Sequence, residues 1–195
     1  ILLPRAEVAA KRVNEVLNKP LSICDPETEK PATEVGTVEF RDVSFRYPDA
    51  DADVFSHVSF RAEKGQTIAF IGSTGSGKST LINLVPRFYD ATEGEVLVDS
   101  VNVRDMKQHT LRDKIGYVPQ KGVLFTGTVA DNIAFGGKAD REAVENAAKI
   151  AEADGFIREM EHGYDSPIAQ GGKNVSGGQK QRLSIARAVA QNPEI

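Results

Sequence analysis

The chain has 195 residues, 40% of them apolar, enough for one domain with its own core at roughly 150 residues per domain. Its 24 Lys and Arg stand against 28 Asp and Glu, a net charge of −4, which argues against a phosphate-backbone binder, so no nucleic-acid partner is expected. The single cysteine, Cys24, excludes an internal disulfide and a cysteine-built metal framework, and no apolar run approaches the roughly 18 residues of a membrane span, so this stretch is expected to be soluble by itself.

Leu3 to Leu17 carries Ala6, Ala9, Val13, Val16 and Leu17 among charged residues, a spacing that predicts an amphipathic helix ending before Pro20. The charged, proline-punctuated stretch from Asp25 to Pro31 reads as a linker. Beyond Gly36, short alternating runs (Val38, Phe40, Val43, Phe45, then Val54, Val58, Phe60) predict a small antiparallel β region. Thr67 to Ile71 is almost continuously apolar between Gly65 and Gly72, the pattern of a strand buried on both faces. A helix from Lys78 to about Val85, a strand over Glu95 to Val98 and another over Ile115 to Gln120 follow. The chain then turns helical from Ala139 to Met160 and again from Gln179 to Gln191. Strands before and between helices predict an α/β fold with a largely parallel core.

Gly72-Ser73-Thr74-Gly75-Ser76-Gly77-Lys78-Ser79 has the spacing G-x-x-x-x-G-K-S/T, between a buried strand and a helix. The letters alone would occur by chance in about one such sequence in a hundred, given how common these residues are. Glycines let backbone N–H groups approach a polyphosphate, and the helix opening near Lys78 aims its unpaired N–H groups at the same anion. Lys78 adds a cation for the β and γ phosphates, the Ser79 hydroxyl can ligate Mg²⁺, and Thr80 is a second candidate phosphate contact. A nucleoside triphosphate is the expected ligand. No Asn-Lys-x-Asp guanine reader occurs.

Asn174-Val175-Ser176-Gly177-Gly178-Gln179 opens the last helix as a second N–H-rich turn. A serine N-cap would explain Ser176 without any ligand. Together with the phosphate loop, however, this segment resembles the signature motif of ATP-binding cassette (ABC) proteins, and the resemblance extends along most of the chain. It implies a phosphate-loop ABC ATPase core, with an antiparallel β subdomain and an α-helical signature subdomain. It implies that Gln120 is the Q-loop glutamine, the one catalytic candidate, touching Mg²⁺ and the attacking-water region, and that Tyr47 stacks on adenine. Phe125 to Ile133 and the helix of Leu3 to Leu17 look like exporter features, of the bacterial multidrug or lipid exporter kind. The resemblance also implies head-to-tail pairing of two nucleotide-binding domains. Ser176, Gly177, Gly178 and Gln179 would then face a nucleotide held by the opposite subunit, and transmembrane domains would place the unit on the cytoplasmic side of a plasma or inner membrane.

By this reading residues 1–35 are a juxtamembrane helix and linker, and 36–120 the ATP-binding core. Residues 121–182 form the helical subdomain, and 183–195 begin the second half of the core. The carboxylates that the family uses for Mg²⁺ and for the attacking water would follow the signature helix, so the sequence is expected to be part of a longer polypeptide and to bind ATP without hydrolysing it efficiently. Glu95-Val96-Leu97-Val98-Asp99 mimics an apolar strand ending in such an acid but precedes Gln120 and has Ser100 next, so it is rejected as a substitute. His57, His109 and His162 are read as ordinary polar side chains. Gln170 stands where exporters commonly carry an acid. Competing readings are a soluble ABC-type ATPase, a chain that binds nucleotide without turnover, and a metabolite kinase.

Overall fold

The computed structural model describes residues 2–137 and 139–195, with side chains from residue 6 onward. The first helix, α1 (Leu2–Leu17), forms as the apolar spacing predicts, and residues 6–17 are all exposed. No described helix is long and apolar enough to cross a membrane.

The segment after α1 has no regular structure, yet it is more than a connector. Lys30 pairs with Asp105 at 2.7 Å. The Asp25 carboxylate accepts a 2.9 Å bond from the Gln108 backbone N–H, and Glu29 accepts one from Lys107 N–H at 3.1 Å. Asp25 thus caps a helix, α3 (Gln108–Asp113), whose own N-cap residue, Lys107, supplies no side-chain cap. The Gln108 backbone N–H, with the Gln108 side-chain amide donating at 3.1 Å, holds the Asp25 carboxyl below the usual carboxylate range. Composition predicts a free linker here; capping and pairing strap it to the fold.

Four strands make an antiparallel sheet in the order β2-β1-β3-β4: β1 (Val38–Phe45), β2 (Phe55–Ala62), β3 (Glu93–Val98) and β4 (Val101–Asn102). Phe40 lies opposite Phe60, their rings stacked at 4.6 Å, the kind of cross-strand pair that fixes register. The strand expected over Glu95 to Val98 therefore belongs to this antiparallel sheet and not to a parallel core. Gly94 makes the fit possible, since a Cβ there would stand 2.3 Å from the Asp42 carbonyl oxygen. Behind the sheet, Leu81 and Leu84 of α2 (Lys78–Leu84) and Leu111 of α3 join Phe40, Val43, Val98 and Met106 in one core.

No parallel ladder forms among the described residues. Thr67 to Ile71 and Ile115 to Gln120 are not paired as strands, a departure from the sequence expectation. A strand needs a neighbour at hydrogen-bonding distance, and these two segments flank an apolar groove lined by Ile68, Phe70, Tyr117 and Val118. Ile195 enters it, its carbonyl accepting a 2.8 Å bond from Gly116 N–H.

A second core lies among α4 (Val129–Ile133), α5 (Arg141–Ile150), α6 (Asp154–Glu159) and α7 (Gly177–Ala190), centred on Ile133, Ala148, Ile157 and Leu183. The single helical run expected from Ala139 to Met160 is two helices, broken at Glu152 with its φ of 53°. A short ladder of β5 (Gly127–Thr128) and β6 (Pro167–Ile168) closes this unit.

Asn132, 2% exposed on α4, ties the two ends of the unit together. Its amide donates to the carbonyls of Phe125 (2.8 Å) and Thr128 (3.0 Å). Its oxygen accepts from Phe125 N–H (2.8 Å) and from the Arg187 guanidinium of α7 (3.1 Å). Asn132→Ala takes the side-chain partner from Phe125 N–H and from the Phe125 carbonyl, while Arg187 keeps its bonds to the backbone carbonyls of residue 132 (2.8 Å) and Val123 (2.9 Å), so a loss of about 2–4 kcal/mol is expected. Urea unfolding checks it, and a midpoint unmoved from the parent would show that water replaces the side chain.

Candidate nucleotide site

The phosphate loop runs into α2, as the sequence reading requires, but the Thr67 to Ile71 segment before it is neither a paired strand nor buried, Ile71 being 96% exposed. Gly75 and Gly77 both have φ of +85°, a conformation that L side chains rarely adopt. A Cβ on Gly77 would also stand 2.7 Å from Val54 Cγ1, and one on Gly72 would stand 2.8 Å from Ser76 Oγ. At Gly75 nothing lies within 4 Å, so there the requirement is backbone conformation and not space.

Gly77 is the N-cap of α2 and makes no side-chain cap, so the N–H groups of the first turn remain available to an anion. The Lys78 ammonium lies over the loop, donating to the carbonyls of Gly72 (2.9 Å) and Ser73 (2.6 Å) and to Ser76 Oγ (3.1 Å). These bonds fold the long side chain back, so the positive charge sits among the loop's own oxygens.

A cleft of about 520 Å³ is lined by Tyr47, Val54, Thr74, Gly75, Ser76, Gly77, Lys78, Ser79, Thr80 and Gln120. The fold thus brings together residues from three separate stretches of chain that the sequence reading had singled out. Gly72 and Ser73 do not line it; their carbonyls accept from the Lys78 ammonium that does. Val54 was not foreseen; its signal was only an apolar residue at the start of an alternating run, and in the structure it packs on Gly77. Thr80, 8% exposed, bonds the Tyr47 phenol at 2.9 Å, so its hydroxyl is already engaged by a side chain and not simply free for phosphate.

Ser176 to Gln179 do not line this cleft. They open α7 as a capping box: Gln179 N–H donates to Ser176 Oγ at 3.3 Å, and Ser176 N–H donates to Gln179 Oε1 at 2.8 Å. The plain N-cap role weighed from the sequence is therefore real. It leaves the Ser176 hydroxyl proton and the Gln179 side-chain NH2 unused. At Gly177 and Gly178 a Cβ would meet nothing within 4 Å, so nothing inside this chain demands glycine there.

Asp99 is fully buried at the β3–β4 turn, where Asp99 and Ser100 both have positive φ. It accepts from Thr37 N–H at 3.0 Å and pairs with Lys114 at 2.8 Å, a structural role that agrees with its rejection as a metal acid. His57 pairs with exposed Asp42 at 2.9 Å, which raises the pKa of the imidazole, and His109 with Asp113 at 3.2 Å. Neither lines the cleft.

A glycine-built loop before a helix, a lysine folded onto it and an aromatic at its margin define a phosphate-loop nucleotide-binding domain. Comparison with known proteins narrows the class. The family described as ABC transporter matches residues 55–195. An uncharacterized ABC transporter ATP-binding protein of Mycobacterium tuberculosis is 46% identical over 200 aligned positions, covering 100% of this chain and 34% of that protein. A putative multidrug export ATP-binding/permease protein of Staphylococcus aureus is 48% identical over 162 positions, covering 82% of this chain and 28% of that one. The structure of a bacterial Atm1-family ABC exporter with ATP bound superposes with a TM-score of 0.88 at 34% identity, over 97% of this chain and 33% of that chain. The chain belongs to the ABC transporter family and has the ABC ATPase fold; it spans about a third of the length of these relatives.

Proposed function

We propose that the chain is the ATP-binding part of an exporter, holding Mg-ATP and pairing with a second such domain so that ATP binding and hydrolysis drive transport through attached transmembrane domains. The observation that carries this reading is the cleft in which Tyr47, the loop of Gly72 to Thr80 and Gln120 meet. Its volume and lining suit an extended nucleotide with its base at Tyr47 and its phosphates at the loop. The relatives named for multidrug export and the exporter solved with ATP support it further.

In this reading the first-turn N–H groups of α2 and Lys78 bind the β and γ phosphates, and Thr80 donates its hydroxyl proton to a phosphate oxygen. Ser79 and Gln120 would hold Mg²⁺, which supplies charge neutralisation on the phosphates. Mg²⁺ suits such a site because it keeps water and phosphate oxygens as ligands and needs few from protein. Gln120 orients the side of the nucleotide where water attacks. The carboxylate that activates that water is not supplied by Asp99, which is buried and bonded elsewhere, so these residues bind and orient without completing hydrolysis.

Ser176, Gly177, Gly178 and Gln179 would meet the γ-phosphate of a nucleotide held by a second domain. Support comes from the open space at both glycines and from the unused Ser176 proton. A ligand favours the closed pair only by binding it more tightly than the open one, and a γ-phosphate touched from both sides supplies that difference. Transmembrane attachment places the domain on the cytoplasmic side of a membrane. The test is fractionation and turnover of the full-length protein: it should sediment with membranes and hydrolyse ATP in a reaction stopped by EDTA. Recovery as soluble protein would favour a soluble ABC-type ATPase instead.

A further inference from the structure

Tyr47 lies in the loop after β1, ahead of Pro48, where no strand partner restrains it. Its ring is nevertheless held from three directions. Phe45, 2% exposed, meets it edge to face at 4.9 Å and 85°. Tyr89, in the turn between α2 and β3, meets it at 5.3 Å and 90°. Its phenol bonds Thr80 Oγ1 at 2.9 Å. Tyr89, 37% exposed, also packs on Phe45 at 5.6 Å, so the three rings close a triangle in which each touches both others. Each spacing is in the 4.5–7 Å range where ring quadrupoles favour tilted and edge-on pairs.

We infer that Tyr89 and Thr80 are positioning residues for the Tyr47 ring, and that the base-dependent part of nucleotide affinity therefore depends on Tyr89, a side chain outside the phosphate loop. The inference rests on the reading of Tyr47 as the base platform. Tyr89 does not line the cleft, so it acts on the nucleotide through Tyr47. A loop tyrosine without such partners would exchange rotamers, and a base would have to immobilise it on binding; a ring fixed beforehand avoids that loss. Thr80 adds a link between the two halves of the ligand. A hydroxyl has one proton to donate and two lone pairs, so Thr80 can accept from the Tyr47 phenol while donating to a phosphate oxygen.

The test is calorimetry on the full-length protein with two probes in magnesium: a non-hydrolysable ATP analogue, and tripolyphosphate, which has no base. Tyr89→Leu should weaken the analogue by about three- to tenfold, the size of an aromatic pair, and leave tripolyphosphate within about twofold. Tyr89→Phe should bind like the parent, because the ring edge is kept. Tyr47→Phe, which removes only the phenol bond, should weaken the analogue and spare tripolyphosphate. In a Tyr47→Ala background, Tyr89→Leu should have no further effect. Equal loss for both probes, or a full further loss in the Tyr47→Ala background, would overturn the inference. So would unchanged analogue binding by Tyr89→Leu where Tyr47→Ala weakens it. If Tyr47→Ala itself leaves the analogue unaffected, the reading of Tyr47 as platform fails first, and this inference with it.

Discussion

Lys78→Ala should weaken binding of a non-hydrolysable ATP analogue by about a hundredfold or more. Hydrogen bonds to a charged group are worth about 1.5–3 kcal/mol each, and each 1.4 kcal/mol is tenfold in affinity. Lys78 is the one side-chain cation of the loop, so no neighbour within the motif replaces it. The variant also loses the bonds from the ammonium to Gly72 O, Ser73 O and Ser76 Oγ, which hold the loop in the shape that presents its N–H groups. Lys78→Arg is not a safe rescue, because a planar fork does not fit a point-charge position folded against two carbonyls. Calorimetry measures the change, with thermal unfolding as the check on folding. Affinity equal to the parent would remove the phosphate-loop assignment.

Ser176→Arg should abolish ATP-dependent pairing in the full-length protein, with turnover falling at least about a hundredfold, the scale of one lost transition-state contact, while nucleotide binding to one domain persists. An arginine there projects a long chain into the open space beside Gly177 and Gly178. It also removes the N-cap bond to Gln179 N–H, a loss of about 1 kcal/mol that could act through the helix alone. Ser176→Asp separates the two effects. Aspartate caps a helix as well as serine does, yet it would set a carboxylate against the γ-phosphate of the opposite nucleotide. Both variants should therefore lose pairing, and Ser176→Asp should keep the parent's unfolding temperature. Analytical ultracentrifugation with the non-hydrolysable analogue reads the result, and pairing retained by both would sink the shared-site arrangement.

Local chemistry made much of the site legible. The glycine spacing before Lys78 and Ser79 announces an anion cradle, because positive φ and close approach leave few other residues possible. Ser176 and Gln179 announce a helix start for a comparably local reason. The helices over Leu2–Leu17 and Gly177–Ala190 follow from periodicity within a residue or two. What fell outside local reach depended on distant partners. The apolar runs of Thr67 to Ile71 and Ile115 to Gln120 have strand composition but no ladder, since hydrogen bonds between strands belong to pairs and not to a segment. The strap from Asp25 to Lys30 looked like a linker because its bonds reach residues more than 70 positions away.

By itself the sequence determined the glycine spacing of the phosphate loop and the Ser176 helix cap, since each is written in residues a few positions apart whose backbone geometry allows little else; the family came from the resemblance that these motifs carry together. Tertiary structure decided which distant residues share the cleft, how Glu93–Val98 joins the antiparallel sheet, and that Tyr47 is held by Phe45, Tyr89 and Thr80. The reason is physical: aromatic packing, cross-strand register and buried polar partners are contacts between surfaces. Their free energy exists only once the chain has brought those surfaces together.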